Sequence, residues 1–592
     1  MLTQETHAWN PGLTSEIPQR LWPQVTLFTE RNAHISFTEA KELSDLTGLT
    51  ELELISLRPQ RLAVHAILVR VTANLTVVDG PNYAQLGINM RAMVASIIDS
   101  YIKPELPAIE LAVAAERKVV LQRVSDALEL AFRPPQPQPI EDDSPTRFWS
   151  GWFGKSSRTQ AVKQTEKLSD VQIVENWKAQ KSKSKSKAEQ ACLQALIKCV
   201  GTIVAQRGRM LPDYELVARI VTNQLMNTRG AVVVEALIEP LWQKAVAAEG
   251  FRFLPVQADP VVMNVKGASA SGKSTIRPQQ QRLAERLGIP WEDFALISPD
   301  YWRKYLIDYE SLGEDFRFGA MLSGRELEMI DKKLDAYMAD KASQGKMSHM
   351  LIDRFRFDSF ALDIDRSETS RLLSRFAKRV YLFFMVTHPE QTVLRAWKRG
   401  NQTGRYKAVD DLLFHNVEAF TGMPALFLSW VNSKDKQIHF EFLDNDVPLG
   451  TLPKTAAFGH NGTLVILDVK MMLNVDRYRK VNVSAQNPDE VFDSVNLEAD
   501  ANVEFALHCA RTIEHIVLAD QDTMTAYAAL ESGKLLWWDS SYIKATSKDT
   551  GLLELMAALG YNDSNCEEPQ PAFAELNPDK EKSIMVGHWN ER

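Results

Sequence analysis

Nine residues, Gly267-Ala268-Ser269-Ala270-Ser271-Gly272-Lys273-Ser274-Thr275, constrain this chain more than any other stretch. They fit G-x-x-x-x-G-K-[ST], a pattern whose glycines let backbone amides curl around phosphate oxygens. Ahead of them, Val261-Val262-Met263-Asn264-Val265 is short, apolar and β-branched, which predicts a buried parallel strand feeding the loop. A helix behind the loop would present unpaired N–H groups and the positive end of its dipole. In that frame residues Gly267 to Thr275 bind a nucleotide. Lys273 reaches its β- and γ-phosphates, and the Ser274 hydroxyl ligates Mg²⁺. The helix should continue from Gln279 to Leu287 and stop at Gly288, with Pro278 a blemish that bends its first turns.

The chain around this motif is long, with 592 residues of which 45% are hydrophobic, enough for two to four domains. A formal net charge of -8 gives no general reason to expect nucleic acid as a partner. Four cysteines without a C-x-x-C pair fit a reducing compartment and exclude a zinc module of that type. Cys192 and Cys199 lie seven apart, on one helical face, which predicts core packing. The first residues lack a basic and an apolar signal region, and no run is apolar enough to be expected to span a bilayer. The expectation is therefore a cytoplasmic protein, with delivery into another cell by a route needing no cleaved signal left open.

Apolar spacing predicts a helical N-terminal domain over residues 1–132. A linker follows over 133–188, bounded by the prolines of 134–139 and acidic Glu141-Asp142-Asp143. It carries the aromatics Phe148, Trp149, Trp152 and Phe153 and ends in the Lys/Ser run from Lys181 to Lys187, read as solvated and mobile. A helical segment spans 189–254, the nucleotide-binding domain 255–484, and a helical C-terminal region 485–592. In that last region Val503 to Leu518 and Gly551 to Leu559 are apolar on one side, and Trp537-Trp538 reads as core.

Within the central domain, Phe294 to Ser298 reads as a second strand, which puts Asp300 just past a carboxyl end, where open α/β sheets form their sites. A carboxylate there can take a proton from an acceptor hydroxyl, and Arg303 three residues on can bind an anionic part of the acceptor. The plain alternative is a turn acid after Ser298-Pro299. Ser323-Gly324-Arg325-Glu326 fits a capping box opening a scaffold helix. His349 to Asp353 reads as a third strand whose terminal Asp353 supports Mg²⁺, or else pairs with Arg354 or Arg356. Arg379 to Val386 reads as a fourth strand, followed by a helix from Pro389 to Gly400. On that helix Arg395 and Arg399 share a face, and Gly404-Arg405 follows in a flexible stretch. Arginines there can close over a γ-phosphate, or simply form a solvated basic face. Gln437 to Asp444 is a fifth strand, and two further runs flank a hairpin turn at Gly459-His460-Asn461-Gly462.

Over about residues 255–450 these motifs resemble the zeta-toxin family of P-loop kinases. The likeness rests on Gly267 to Thr275, Ile297-x-x-Asp300-x-x-Arg303, the strand ending at Asp353, and the Arg395/Arg399/Gly404-Arg405 lid. It implies an α/β P-loop kinase core, a parallel sheet flanked by helices, set between the largely helical regions that apolar spacing predicts on either side. It also implies ATP- or GTP-dependent phosphorylation of a hydroxyl on a nucleotide-like metabolite, a UDP-amino sugar or an NAD-type acceptor, in a bacterial toxin or effector. An antitoxin, immunity or host protein would be the partner. Carried over, Lys273, Asp300, Arg399 and Arg405 are catalytic, Asp300, Arg303 and Asp353 meet the substrate, and Ser274 and Asp353 hold Mg²⁺. Pro278 and the pair Asp353-Arg354 depart from the family pattern. The alternative is a P-loop NTPase switch or a nucleotide-binding regulatory protein without a small-molecule acceptor. No D-x-x-G follows the loop, which disfavours a GTPase.

Overall fold

The computed structural model describes residues 6–80, 83–132, 168–354, 376–448, 450–493, 495–546, 550–561 and 583–589. The chain forms two compact units, one of Gln19–Ile67 and Ala95–Glu249, the other of Met1–Pro18, Leu68–Val94 and Gly250–Arg592. The helices up to residue 249 are α1 (Phe37–Thr47), α2 (Pro59–Asn74), α3 (Tyr83–Ile97), α4 (Leu106–Phe132), α5 (Asp170–Lys183), α6 (Lys187–Arg207) and α7 (Tyr214–Glu249). On α4, Ile109, Val113, Val120, Val124, Leu128 and Phe132 recur at intervals of four or seven residues and are buried as one stripe.

The segment read as a mobile linker to residue 188 is instead helical from Asp170. Ser169 caps α5 reciprocally with Gln172, whose Oε1 accepts from the Ser169 N–H at 2.8 Å. Ile173, Val174 and Trp177 are buried. That apolar stripe is hidden in the sequence by the lysines and serines around it. The proline run of 134–139, the acidic residues behind it and the aromatics of 148–153 lie outside the described residues. Cys192 and Cys199 are core residues of α6, where burial pushes their thiols up to about 11 and about 12. Among the described helices α6 alone has the length and hydropathy to cross a membrane, but Cys192, Leu193, Leu196, Cys199, Val200, Ile203 and Val204 on it are buried inside the protein.

The other unit is built on a ten-stranded sheet in the order β10-β9-β8-β7-β6-β5-β4-β1-β3-β2. The strands are β1 (Val261–Gly267), β2 (Phe294–Ile297), β3 (His349–Asp353), β4 (Arg379–Val386), β5 (Gln437–Asp444), β6 (Lys454–His460), β7 (Thr463–Ile466), β8 (His515–Ala519), β9 (Ala526–Glu531) and β10 (Lys534–Trp538). From β5 through β4, β1 and β3 to β2 every pairing is parallel. β1 is buried at all seven positions, as a strand covered on both faces must be. Side chains alternate between two cores. Phe383 and Met385 join Leu283 and Ala284 of α8 (Arg277–Arg286), while Phe384 and Phe442 stack at 4.7 Å against Phe427 on the opposite side. The remaining helices are α9 (Arg303–Leu306), α10 (Gly319–Leu322), α11 (Gly324–Ser343), α12 (Pro389–Thr403), α13 (Val409–Val431), α14 (Val469–Tyr478), α15 (Glu504–Thr512), α16 (Ser540–Ala545) and α17 (Thr550–Ala558).

The expected helical region from 485 onward contains three strands, and they extend the central sheet past residue 484. The stretch Val503 to Leu518 is not one helix, because α15 ends at Thr512 and His515–Ala519 pairs parallel to β7. Strand β9 carries three alanines yet is buried at five of its six positions, so tertiary burial overrides a helix-favouring composition. Trp537 and Trp538 are buried, as their sequence predicts. The hairpin at residues 459–462 also joins the sheet, with His460 opposite Thr463 across Asn461-Gly462.

Candidate functional site

From β1 the chain leaves toward β2, and from the adjacent β4 it leaves toward β5, on the other side. Connections that diverge in this way open a crevice at the carboxyl ends of the two strands. The glycine-rich loop occupies that position, between β1 and a short 3₁₀ turn over Lys273–Ile276. Pro278 does not bend α8. The helix starts at Arg277, so proline falls in its first turn, where the missing N–H has no helical partner to lose.

Two glycines are required by geometry. A Cβ at Gly267 would lie 2.9 Å from Met385 Cβ, and one at Gly272, whose φ is +93°, would lie 2.2 Å from Asn445 Nδ2. The loop is tied down at Ser271, whose carbonyl accepts from Asn445 Nδ2 at 2.7 Å and from Thr387 Oγ1 at 2.9 Å. Arg395 holds Asn445 in turn, donating to its carbonyl at 2.7 Å. Arg395 is thus a brace for the loop rather than a lid arginine, a correction to the expectation that it closes over phosphate. Ala268 is buried, Ser269 and Ala270 are partly exposed, and Thr275 Oγ1 donates back to Gly272 O at 2.6 Å.

Lys273 Nζ donates to Gly267 O at 3.0 Å and to Ala268 O at 2.8 Å. Burial pulls its pKa down, while Asp353 and Asp300 pull it back. Ser274 Oγ donates to Asp353 Oδ2 at 3.3 Å. Asp353 closes β3 directly beside β1, opposite Val265. Arg354 meets Asp331 at 2.8 Å and Asp335 at 2.5 Å, so the expected alternative of an Asp353–Arg354 pair is not what forms. Arg356 lies outside the described residues. Lys266, on β1, was missed in the sequence. It is fully buried, donates to Arg354 O at 3.2 Å, and burial takes its pKa well below the usual lysine value.

Asp300 follows β2 in a single 3₁₀ turn over Pro299–Tyr301. Its carboxylate meets Arg405 Nη2 at 2.6 Å and Arg303 Nη2 at 3.5 Å. Burial raises its pKa, but Arg405, Arg303 and Arg399 outweigh that and hold the carboxyl well below the ordinary range. Arg303 also donates to Ser323 Oγ at 3.1 Å and to Ala320 O, and its side chain is only 14% exposed. It braces Asp300 as much as it faces the site. Ser323 does not make the expected cap. α10 runs almost directly into α11, and the Ser323 hydroxyl donates to Gly319 O at 3.0 Å. Arg399, on α12, is felt by Lys273 and by Asp300.

The loop between α12 and α13 is fixed at three consecutive residues. Arg405 is paired to Asp300, the Tyr406 ring lies under the Arg317 guanidinium at 5.0 Å, and Lys407 meets Asp411 Oδ2 at 3.2 Å and His415. The expectation of a flexible arginine stretch gives way to this anchoring. Near the amino end, Trp9 packs in one cluster with Val393, Ala396 and Leu412, and Arg317 donates to Pro11 O at 3.0 Å. Nothing in the sequence marks that arm, nor Lys407, Asp411 and His415, because none belongs to a spaced motif.

Among the described residues no group of three or more His, Cys, Asp and Glu side chains forms a protein-only metal site. One hydroxyl beside one carboxylate is instead the donor set suited to Mg²⁺ that keeps waters and phosphate oxygens as its other ligands. The buried Ser271 hydroxyl, with no hydrogen-bond partner, lies beside Gly267, where an added Cβ would come within 2.6 Å of it. Comparison with family models, curated proteins and solved structures found no match.

Proposed function

We propose that this chain is a nucleoside-triphosphate-dependent kinase that transfers a γ-phosphate to a hydroxyl of a nucleotide-like metabolite, in the role of a toxin or effector. The observation that carries the reading is the convergence at three neighbouring strand ends. Lys273 and Ser274 follow β1, Asp353 ends β3 in contact with Ser274, and Asp300 follows β2 within reach of Arg405. Phosphoryl transfer asks for positioning and charge neutralisation, and these are the groups that supply both.

In this reading the loop amides and Lys273 hold the triphosphate of ATP or GTP, while Ser274 and Asp353 hold Mg²⁺. Mg²⁺ held by Ser274 and Asp353 would supply positive charge against that of the bound triphosphate. Asp300 accepts the proton of the acceptor hydroxyl as its oxygen bonds to the γ-phosphorus and the bond to the β–γ bridging oxygen breaks. Arg399 and Arg405 neutralise charge on the moving group. The test is transfer from γ-labelled ATP and GTP to a metabolite pool containing UDP-amino sugars and NAD, with Lys273→Ala as control. Label in a metabolite supports the kinase. Label released only as inorganic phosphate would favour an NTPase switch and overturn the kinase reading.

A further inference from the structure

Lys407 is a buried cation that the mechanism above leaves unused. Its side chain is 16% exposed and its ammonium lies 3.2 Å from Asp411 Oδ2. It also donates to His415 Nδ1, and Asp411 Oδ1 is 3.4 Å from His415 Nε2. One carboxylate is thus shared between the ammonium and an imidazole. His415 is neutral, since burial, Lys407 and Lys273 together press its pKa down to about 2. The trio borders the reacting site, since Lys407 lies two residues beyond Arg405, whose guanidinium meets Asp300 at 2.6 Å, and His415 feels Lys273 and Asp300.

A buried ammonium that feels the guanidinium groups of Arg399 and Arg405 costs free energy that an incoming anion recovers. Burial is the largest effect on Lys407 and, with the two arginines, outweighs Asp411, so its pKa is lowered to about 8. We propose that Lys407 is a second phosphate-binding ammonium of this site, held in place by Asp411 and His415. The inference rests on the kinase reading, since a phosphoryl group must enter this crevice for Lys407 to meet one. The phosphate comes either from the donor nucleotide or from the acceptor, and the two sources separate by experiment.

Full-length wild type, Lys407→Gln and Lys407→Arg are titrated calorimetrically with Mg-ATP, Mg-ADP and UDP-N-acetylglucosamine, with thermal midpoints recorded to verify folding. A charge-assisted contact of the usual strength predicts roughly tenfold weaker binding for Lys407→Gln, restored at least in part by Lys407→Arg. A loss confined to Mg-ATP assigns the contact to the γ-phosphate, and a loss confined to the UDP sugar assigns it to the acceptor. Wild-type affinity should also weaken as pH rises through about 8, where the lysine loses its charge, and Lys407→Arg should not follow. Lys407→Gln binding all three ligands within twofold of wild type overturns the assignment. A wild-type chain that binds no nucleotide would instead refute the kinase reading itself.

Discussion

Arg405 Nη2 lies 2.6 Å from Asp300 Oδ2, so the carboxylate at the end of β2 and the arginine of the α12–α13 loop neutralise each other. An acid held this far below its usual pKa is a weak base. In the proposed mechanism a γ-phosphate competes for Arg405. Once the guanidinium turns to phosphate, Asp300 loses its strongest attractive partner and its pKa rises toward the range where it can take a proton.

Asp300→Asn should therefore remove acceptor phosphorylation while sparing nucleotide binding. Loss of a general base costs on the order of 10² to 10⁴ in rate. Mg-ATP affinity, measured calorimetrically, should stay within a few-fold of wild type or improve, because Arg405 is released from its pair. Undiminished phosphoryl transfer by the variant would remove Asp300 from the role of base.

Asn445 should matter to nucleotide binding although no motif marks it. Its amide holds the Ser271 carbonyl at 2.7 Å and fills the space beside Gly272. Gly272→Ala combines a strained positive φ with a 2.2 Å approach to that amide, and Asn445→Ala removes the tether alone. Both variants should weaken Mg-ATP binding, Gly272→Ala more severely. Because mutations at contacting sites do not add, the double variant should bind better than the sum of the single losses implies. Strict additivity in the same titrations would mean that the clash with Asn445 is not what penalises alanine.

The parts of this site that were legible in the sequence are those set by local chemistry. The loop, the apolar runs of β1 and β4, and the acids at strand ends each announce themselves within about ten residues. Arg395 and Arg399 share a helical face in the sequence, yet only coordinates separate the brace on Asn445 from the arginine whose charge Asp300 feels. Lys407, His415 and the Trp9 arm depend on pairings distant in sequence or on burial, which periodicity does not encode. The strands after residue 484 were missed for the same reason. β9 is alanine-rich and becomes a strand through β8 on one side and β10 on the other.

A buried histidine should make the protein acid-sensitive. His439 on β5 is 6% exposed, and burial, aided by His460, lowers its pKa to about 3. Its folded pKa is below the unfolded value near 6.5, so as pH falls below 6.5 the unfolded chain gains a proton that the folded one refuses. The stability this contributes is full above pH 6.5 and declines by up to about 1.4 kcal/mol per pH unit below it. The thermal midpoint should drop between pH 7 and 5, and His439→Phe should drop less. An equal drop in both would show that His439 is not a source of the acid sensitivity.

Glu441, on β5, is the hinge on which the C-terminal segment hangs. Its carboxylate accepts from Val586 N and Gly587 N, each at 2.9 Å, and from Thr455 Oγ1 at 2.5 Å. Burial raises its pKa and these donors lower it. Val586 packs with β1 residues, while Met585 and Trp589 pack with Phe458 and Trp537, so the same short strap joins two cores. Glu441→Ala strands one buried and one half-buried amide and should cost roughly 2 to 4 kcal/mol, whereas Glu441→Gln keeps one acceptor oxygen and should cost less. Limited proteolysis followed by mass analysis reads the consequence directly. The alanine variant should lose the residues after about 582 while the sheet remains protected, and a variant cleaved no faster there than wild type would mean that the strap is held by its apolar contacts alone.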